Sequence, residues 1–302
     1  MGIFGYNMKP GKGVDKNEPK KKGFFLFFDI IIHKFGKFIG ANCLYTVASI
    51  IWIVLLYFFG GMVLGGTNIV ENITNAITAA GSDVSAEEVQ ASVAIMLQLM
   101  FAVGIFTLWG SGPASAAYAY INRCFTRGEH VWVMSDGKDK FLENFKQGMF
   151  VVIADAVVLV FGINAAHFYW ALYADTGSFI WMFLTYIMVL IFIIYTMMHP
   201  YLYQIMVTFE CKIGGLYKNA LLIALSKLPG NLFTVAVGAA ILVLVFGFIN
   251  PVAAALFIVI FGLCITRYPG EFYAARVIER SILKDMKEKQ AKIEYIGEEE
   301  AE

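Results

Sequence analysis

The chain has 302 residues and no net charge; it is 59% hydrophobic and only 15% charged. Long apolar runs free of Lys, Arg, Asp and Glu exclude an ordinary soluble domain and read as an all-α, polytopic membrane protein. The balanced charge gives no basis for nucleic-acid binding.

Residues 1–22 are polar and basic, ending in Lys20, Lys21 and Lys22. The apolar run that follows is short, is interrupted by Asp29 and lacks a small-residue cleavage site, so it does not read as a signal peptide. Phe24, Phe27, Phe28, Ile31 and Phe35 share one face at helical spacing, while Lys34 and Lys37 reach toward headgroups. Residues 23–38 are therefore expected to form an interfacial amphipathic helix in contact with membrane lipid, the plainer alternative being a helix packed beside the first span.

Six spans are read at 39–65, 92–121, 147–170, 178–208, 231–249 and 251–266. All 23 Lys and Arg fall within 1–38, 123–146, 212–227 and 267–292, and the connections 66–91, 171–177 and 249–251 carry none. The positive-inside rule then puts both termini and the loops 122–146 and 209–230 in the cytoplasm. The membrane domain covers 39–280, and 281–302 is a charged tail with Asp285–Lys289 and Glu288–Lys292 at i,i+4 spacing. The cysteines Cys43, Cys124, Cys211 and Cys264 lie toward the inner side and are expected as reduced thiols.

The second span is broken at Trp109-Gly-Ser-Gly-Pro113. Pro113 lies roughly 15 Å from Arg123 along a helix, which places the break near the midplane if the arginine marks the surface. Pro113 is expected to kink the helix and free the Trp109 carbonyl. Ser111, Ser115 and Ala119 recur every four residues, with Gly112 and Ala116 beside them, so one side is nearly flat and suits close approach of another helix. The first reading of this feature is a packing surface on which Ser111, Gly112, Pro113, Ser115 and Ala119 meet a membrane helix of a partner protein, and a broken-helix substrate or ion site is the second. Gly61 and Gly65 of the first span offer a facing surface.

The loop 122–146 is rich in charge, including Arg123, Arg127 and Glu129, and ends in an amphipathic turn with Phe141, Asn144 and Phe145. It suits docking of a partner, against the alternative of solvated charges that only fix topology. The second inner loop has a related layout with Lys218, Asn219, Lys227 and Pro229, and Asn231 is expected to cap the fifth span. The two loops together suggest an internal duplication.

Asp155 lies about 14 Å into the third span, where a carboxylate is costly unless protonated, paired or wet. It is the best candidate for a transport or proton-coupled role, against a structural aspartate hydrogen-bonded by neighbouring helices. His167 suits an aromatic belt and His199-Pro200 a kink. No second His or carboxylate stands at metal spacing to either, and no HExxH, GxSxG or GxxxxGK[ST] occurs, so neither an enzyme nor a metal or cofactor is expected.

The pattern Gly112-Pro113-Ala114…Ala117…Tyr120…Arg123…Arg127-Gly-Glu129, followed by Phe141…Asn144-Phe-Lys-Gln147, resembles the YesL family of bacterial membrane proteins, a domain of unknown function. Pro200-Tyr-Leu, Leu216 to Leu225 and Leu228-Pro-Gly-Asn-Leu232 are similar to that family's second cytoplasmic segment. The resemblance covers roughly 24–280, departing at His199 and in the long 66–91 loop. It implies a bacterial cell membrane and an accessory or regulatory subunit of a carbohydrate ABC importer, whose permease and ATPase would be the partners. The alternatives are a self-contained small-solute or ion transporter and a membrane-bound sensor or scaffold.

Overall fold

The computed structural model describes residues 23–81 and 84–283. Every regular element among them is helical. The first two helices, α1 (Gly23–Ala48) and α2 (Ile50–Gly65), meet at Ser49 with a 64° bend. A short α3 (Ile69–Ala79) sits in the connection to α4 (Ala86–Leu108), whose start is capped by Ser85 accepting from the Glu88 amide, with Glu87 and Glu88 in the first turn favouring the positive end of the helix dipole. After a break at 109–112 come α5 (Pro113–Arg127) and α6 (Val133–Glu143), then the long α7 (Phe145–Thr176) and α8 (Phe179–Met206). The chain continues through α9 (Ile213–Ser226) and α10 (Leu228–Phe248) to a turn where Asn250 accepts from the Val252 and Ala253 amides and Pro251 opens α11 (Pro251–Phe257). A π-helical turn at Ile258–Gly262 leads into α12 (Leu263–Thr266) and α13 (Tyr268–Ile278).

Among the described residues five helical stretches are long and apolar enough to cross a membrane, six if the bent pair α1–α2 is counted as one span. The chain is an all-α, multi-pass membrane protein.

Several sequence boundaries move. Two helical pieces of α1 join across a kink at Lys34, whose φ and ψ leave the helical region, a few residues before the expected border at 38/39, and the direction changes again at Ser49. On that first stretch Phe24, Phe28 and Phe35 are exposed while Phe27 packs on Tyr268 and Phe272. The sixth span does not end at 266 but continues helically to Ser281, because the first charges after the apolar run neutralise each other inside the bundle. The loop 122–146 contains a full helix, α6, lying back along α5 and α1, with Gly137 buried where a Cβ would approach Leu44 and Ile121. In the same way α9 folds back on α8 through Leu216, Ala220 and Ala224. The basic N-terminus at 1–22 and the tail from 284 lie outside the described residues.

The centre of the bundle is α5. All of it except Tyr120, Arg123 and Arg127 is buried, against α1, α6, α7, α8 and α13. Lys34 Nζ reaches the Phe125 carbonyl at 3.5 Å, Arg123 Nη1 the Val207 carbonyl at 3.1 Å, and Gln147 Nε2 the Cys211 carbonyl at 2.7 Å. With the Arg127–Glu279 pair at 3.8 Å, these contacts gather the basic segments at one end of the molecule, hereafter the basic end.

Candidate functional site

The break in the second span is complete rather than a kink. Helix α4 stops at Leu108, Gly110 (φ +97°) and Gly112 (φ +64°) adopt the left-handed conformations that favour glycine, and Pro113 takes the first position of a new helix. A Cβ at Gly110 would collide with Ser115 Oγ. One at Gly112 would stand 2.5 Å from the Gly148 carbonyl oxygen, so here α5 and α7 touch backbone to backbone.

A break inside a bundle leaves backbone groups that need partners. Several find them within the chain. The Gly110 carbonyl accepts from Trp52 Nε1 at 2.9 Å, the Ser111 amide donates to Ser115 Oγ at 2.8 Å and the Gly112 amide to the Tyr203 hydroxyl at 3.2 Å. The Ser49 and Ser111 hydroxyls are hydrogen-bonded, joining this break to the bend between α1 and α2. The last carbonyls of α4 are met from the far end of the sequence: Arg267 Nη1 donates to Phe106 at 3.4 Å and to Thr107 at 3.1 Å, and the Tyr45 hydroxyl also donates to Phe106. The π-helical turn is served similarly, Asn42 donating to the Ile260 carbonyl and Thr46 to that of Val259, each at 3.0 Å.

Arg267 is itself held in place. Its Nη2 lies 3.1 Å from Glu271 Oε1, Glu271 Oε2 accepts from Gln204 at 2.8 Å, and the guanidinium sits among the rings of Tyr45, Tyr118 and Tyr203 at 5.2 to 5.8 Å. Arg267 and Glu271 are both buried.

A second acid–base pair lies on the other side of Trp109. Asp155 of α7 is fully buried; its Oδ1 accepts from the Tyr195 hydroxyl at 2.7 Å and lies 3.0 Å from His199 Nε2, while Oδ2 has no partner. His199 Nδ1 lies 2.9 Å from the Tyr195 carbonyl, which can only accept, so Nδ1 carries a hydrogen. Whichever of His199 Nε2 and Asp155 holds the proton between them, imidazolium with carboxylate or imidazole with carboxylic acid, the pair has no net charge. The Trp109 ring stacks on His199 at 5.1 Å and 13°, and its Nε1 donates to Thr196 at 2.8 Å. One face of α8, carrying Thr196, His199, Tyr203 and Gln204, thus lines both centres. A void opening between Arg267, Glu271 and Thr196 has a volume of about 20 Å³, roughly the room one water needs.

The small-residue face of the second span is used up inside the chain. Ser111, Gly112, Pro113, Ser115 and Ala119 are buried, packed by α1, α7, α8 and α13, so the expected contact with a helix of another protein is corrected to one within the bundle. Gly61 does face the second span, but against Gln98, with Gly60 against Phe101; Gly65 approaches nothing. Arg123 is a tie between α5 and the end of α8, through the Val207 carbonyl and the Thr208 hydroxyl. Arg127 pairs with Glu129 at 3.6 Å and with Glu279, Glu129 being exposed. Phe141 and half-exposed Phe145 hold their rings 5.8 Å apart, and Asn144 donates to the Lys140 carbonyl at the end of α6. Asn231 is not a cap: α10 begins earlier, at Leu228, and buried Asn231 bridges the Tyr201 hydroxyl (2.7 Å) and the Ala224 carbonyl (2.8 Å), fastening α8 and α9 to α10. Lys218, Asn219, Lys227 and Pro229 are exposed.

Sequence reasoning missed Arg267, Glu271 and Gln204. Arg267 reads as the first basic residue outside a span, and the signal that contradicts it is an oppositely charged residue four positions on, directly after an apolar run. The carboxylate Asp155 and the imidazole His199 do come together, but among the described residues no group of three or more His, Cys, Asp or Glu is placed to hold a metal. No family model matches the chain, and no curated protein or solved structure matches it either.

Proposed function

We propose that the chain is an accessory or regulatory integral-membrane subunit of a carbohydrate ABC importer in a bacterial cell membrane, with its basic end in the cytoplasm. One observation carries this reading over that of a solute path. Partners within the chain meet much of the backbone at the break, and the cavity of about 300 Å³ beside it, between α1, α5 and α6, is walled almost wholly by apolar residues such as Leu44, Ala114, Tyr118 and Phe141, whereas a polar opening lies at the basic end. It is a groove of about 750 Å³ between the α6–α7 junction and the turn after α8, lined by residues that include Lys140, Glu143, Gln147, Thr208, Glu210 and Lys212. Charges of both signs around a concave polar surface suit a soluble partner such as the ATPase subunit. The distribution of Lys and Arg supports the orientation, and the resemblance of 112–147 to the YesL pattern supports the kind of complex. The test is extraction in mild detergent and co-purification. Permease and ATPase chains are expected to accompany the wild type and to be lost from a Lys140→Glu, Lys212→Glu double variant that still purifies as a folded protein. Failure of any such chain to co-purify defeats the proposal.

A second reading, a self-contained proton-coupled transporter, is favoured by the unpartnered Oδ2 of Asp155 beside a shared proton. It requires that the pure protein in liposomes move a solute or ions and that Asp155→Asn stop it.

A further inference from the structure

A second groove, unrelated to the polar one, opens at the basic end between the start of α1, the first turns of α10, and α13. Its volume is about 650 Å³. Its wall is apolar, with Phe27, Phe233, Val237, Pro269 and Phe272, and its rim carries three cations, Lys227, Arg276 and Arg280. Among the described residues no Asp or Glu lines it, and none of the three cations forms an ion pair. Arg276 and Arg280 stand one helical turn apart, a repulsive spacing that an anion between them would relieve. Arg276 rests over the Phe272 ring at 5.4 Å, which holds its head at the rim. Gly230 leaves room for the Tyr273 ring, where any Cβ would collide with it, and so brings a phenolic donor beside Lys227.

The dimensions fit one kind of occupant. Along α10 the wall descends from Lys227 to Val237, and from Arg280, in the π-helical turn Glu279–Leu283 that continues α13, down α13 to Pro269, each about 15 Å at the rise of a helix. That is roughly the depth of one leaflet of hydrocarbon. We propose that this groove binds an anionic phospholipid, its phosphate held by Lys227, Arg276 and Arg280 and one acyl chain lying along α10 and α13 over Phe233 and Phe272. Basic pockets between membrane helices are a known way to select such headgroups, and the exposed Phe24 and Phe28 at the start of α1 extend the apolar surface that the second chain covers.

The experiment is a titration of the full-length protein in detergent with phosphatidylglycerol, read by native mass spectrometry. One lipid is expected to bind with preference over phosphatidylcholine. The triple variant Lys227→Gln, Arg276→Gln, Arg280→Gln is expected to weaken binding about 100-fold, about fivefold per charge, while Lys212→Gln with Lys218→Gln, at the same end but outside the groove, leaves it unchanged. Val237→Phe, which fills the floor and keeps the cations, is expected to weaken a long-chain lipid about tenfold, the equivalent of roughly two methylenes losing contact, and to spare a six-carbon analogue. Equal affinity for phosphatidylcholine, displacement of the lipid by inorganic phosphate, equal loss in the Lys212/Lys218 variant, or no effect of Val237→Phe would each overturn the proposal.

Discussion

Arg267–Glu271 and Asp155–His199 are both acid–base pairs buried in the bundle, separated by Trp109 and Tyr203, and they are built for different ends. An arginine keeps its charge in any protein environment, so the first pair always holds a fixed cation. Its guanidinium is spent on structure: it closes the carbonyl end of α4 at Phe106 and Thr107 while Glu271 and Gln204 fix it in place. The second pair bridges α7 and α8, which already pack along their length, and a single proton shift neutralises both partners. A fixed charge stands where the backbone is broken, and a transferable proton where the backbone is intact.

The largest predicted effect follows from removing the fixed charge. Arg267→Met leaves Glu271 buried without a counter-ion and the Thr107 carbonyl without a donor, while Phe106 keeps only the Tyr45 hydroxyl, and is expected to lower stability by about 4 kcal/mol in a detergent unfolding assay, near the upper end for broken buried pairs. Next comes Gly112→Ala, which forces a side chain into a left-handed backbone against Gly148; a loss of about 3 kcal/mol is expected in the same assay. The double variant Arg267→Met, Glu271→Met sharpens the comparison: a pair that served only itself would be replaceable at no cost, whereas the unmet Thr107 carbonyl predicts that about 1 kcal/mol of the loss remains. Full recovery would remove the contrast drawn above. Effects smaller than those of Arg267→Met and Gly112→Ala belong to the transferable proton. Asp155→Asn keeps the shape and one oxygen to accept from Tyr195 and should cost about 1 kcal/mol, while Asp155→Ala strands both partners and should cost about 2 kcal/mol.

The apolar runs, the glycine-rich break and the even spacing of Ser111, Ser115 and Ala119 were all legible, because each is a local pattern with a local physical meaning. The partner of that small-residue face was not, since spacing shows that a close approach occurs and not which helix makes it. Asp155 stood out as a costly intramembrane carboxylate, yet its pairing with His199 depends on the register of α7 against α8, 44 residues apart. Arg267 was the least legible. Counting basic residues treats every arginine after a span as a marker of the surface, and only tertiary packing takes this one inside.

The bond from Arg267 to the Thr107 carbonyl joins residues 160 apart in sequence, and that separation has a consequence for biogenesis. A chain made at about 5–20 residues per second holds the open end of α4 in the membrane for on the order of 8–30 s before its donor is even synthesised. During that interval the early spans depend on water or on the insertion machinery for the partner that Arg267 later becomes. A chain truncated anywhere before residue 267 would keep that vulnerability permanently, and quality-control proteases would meet it first at the break.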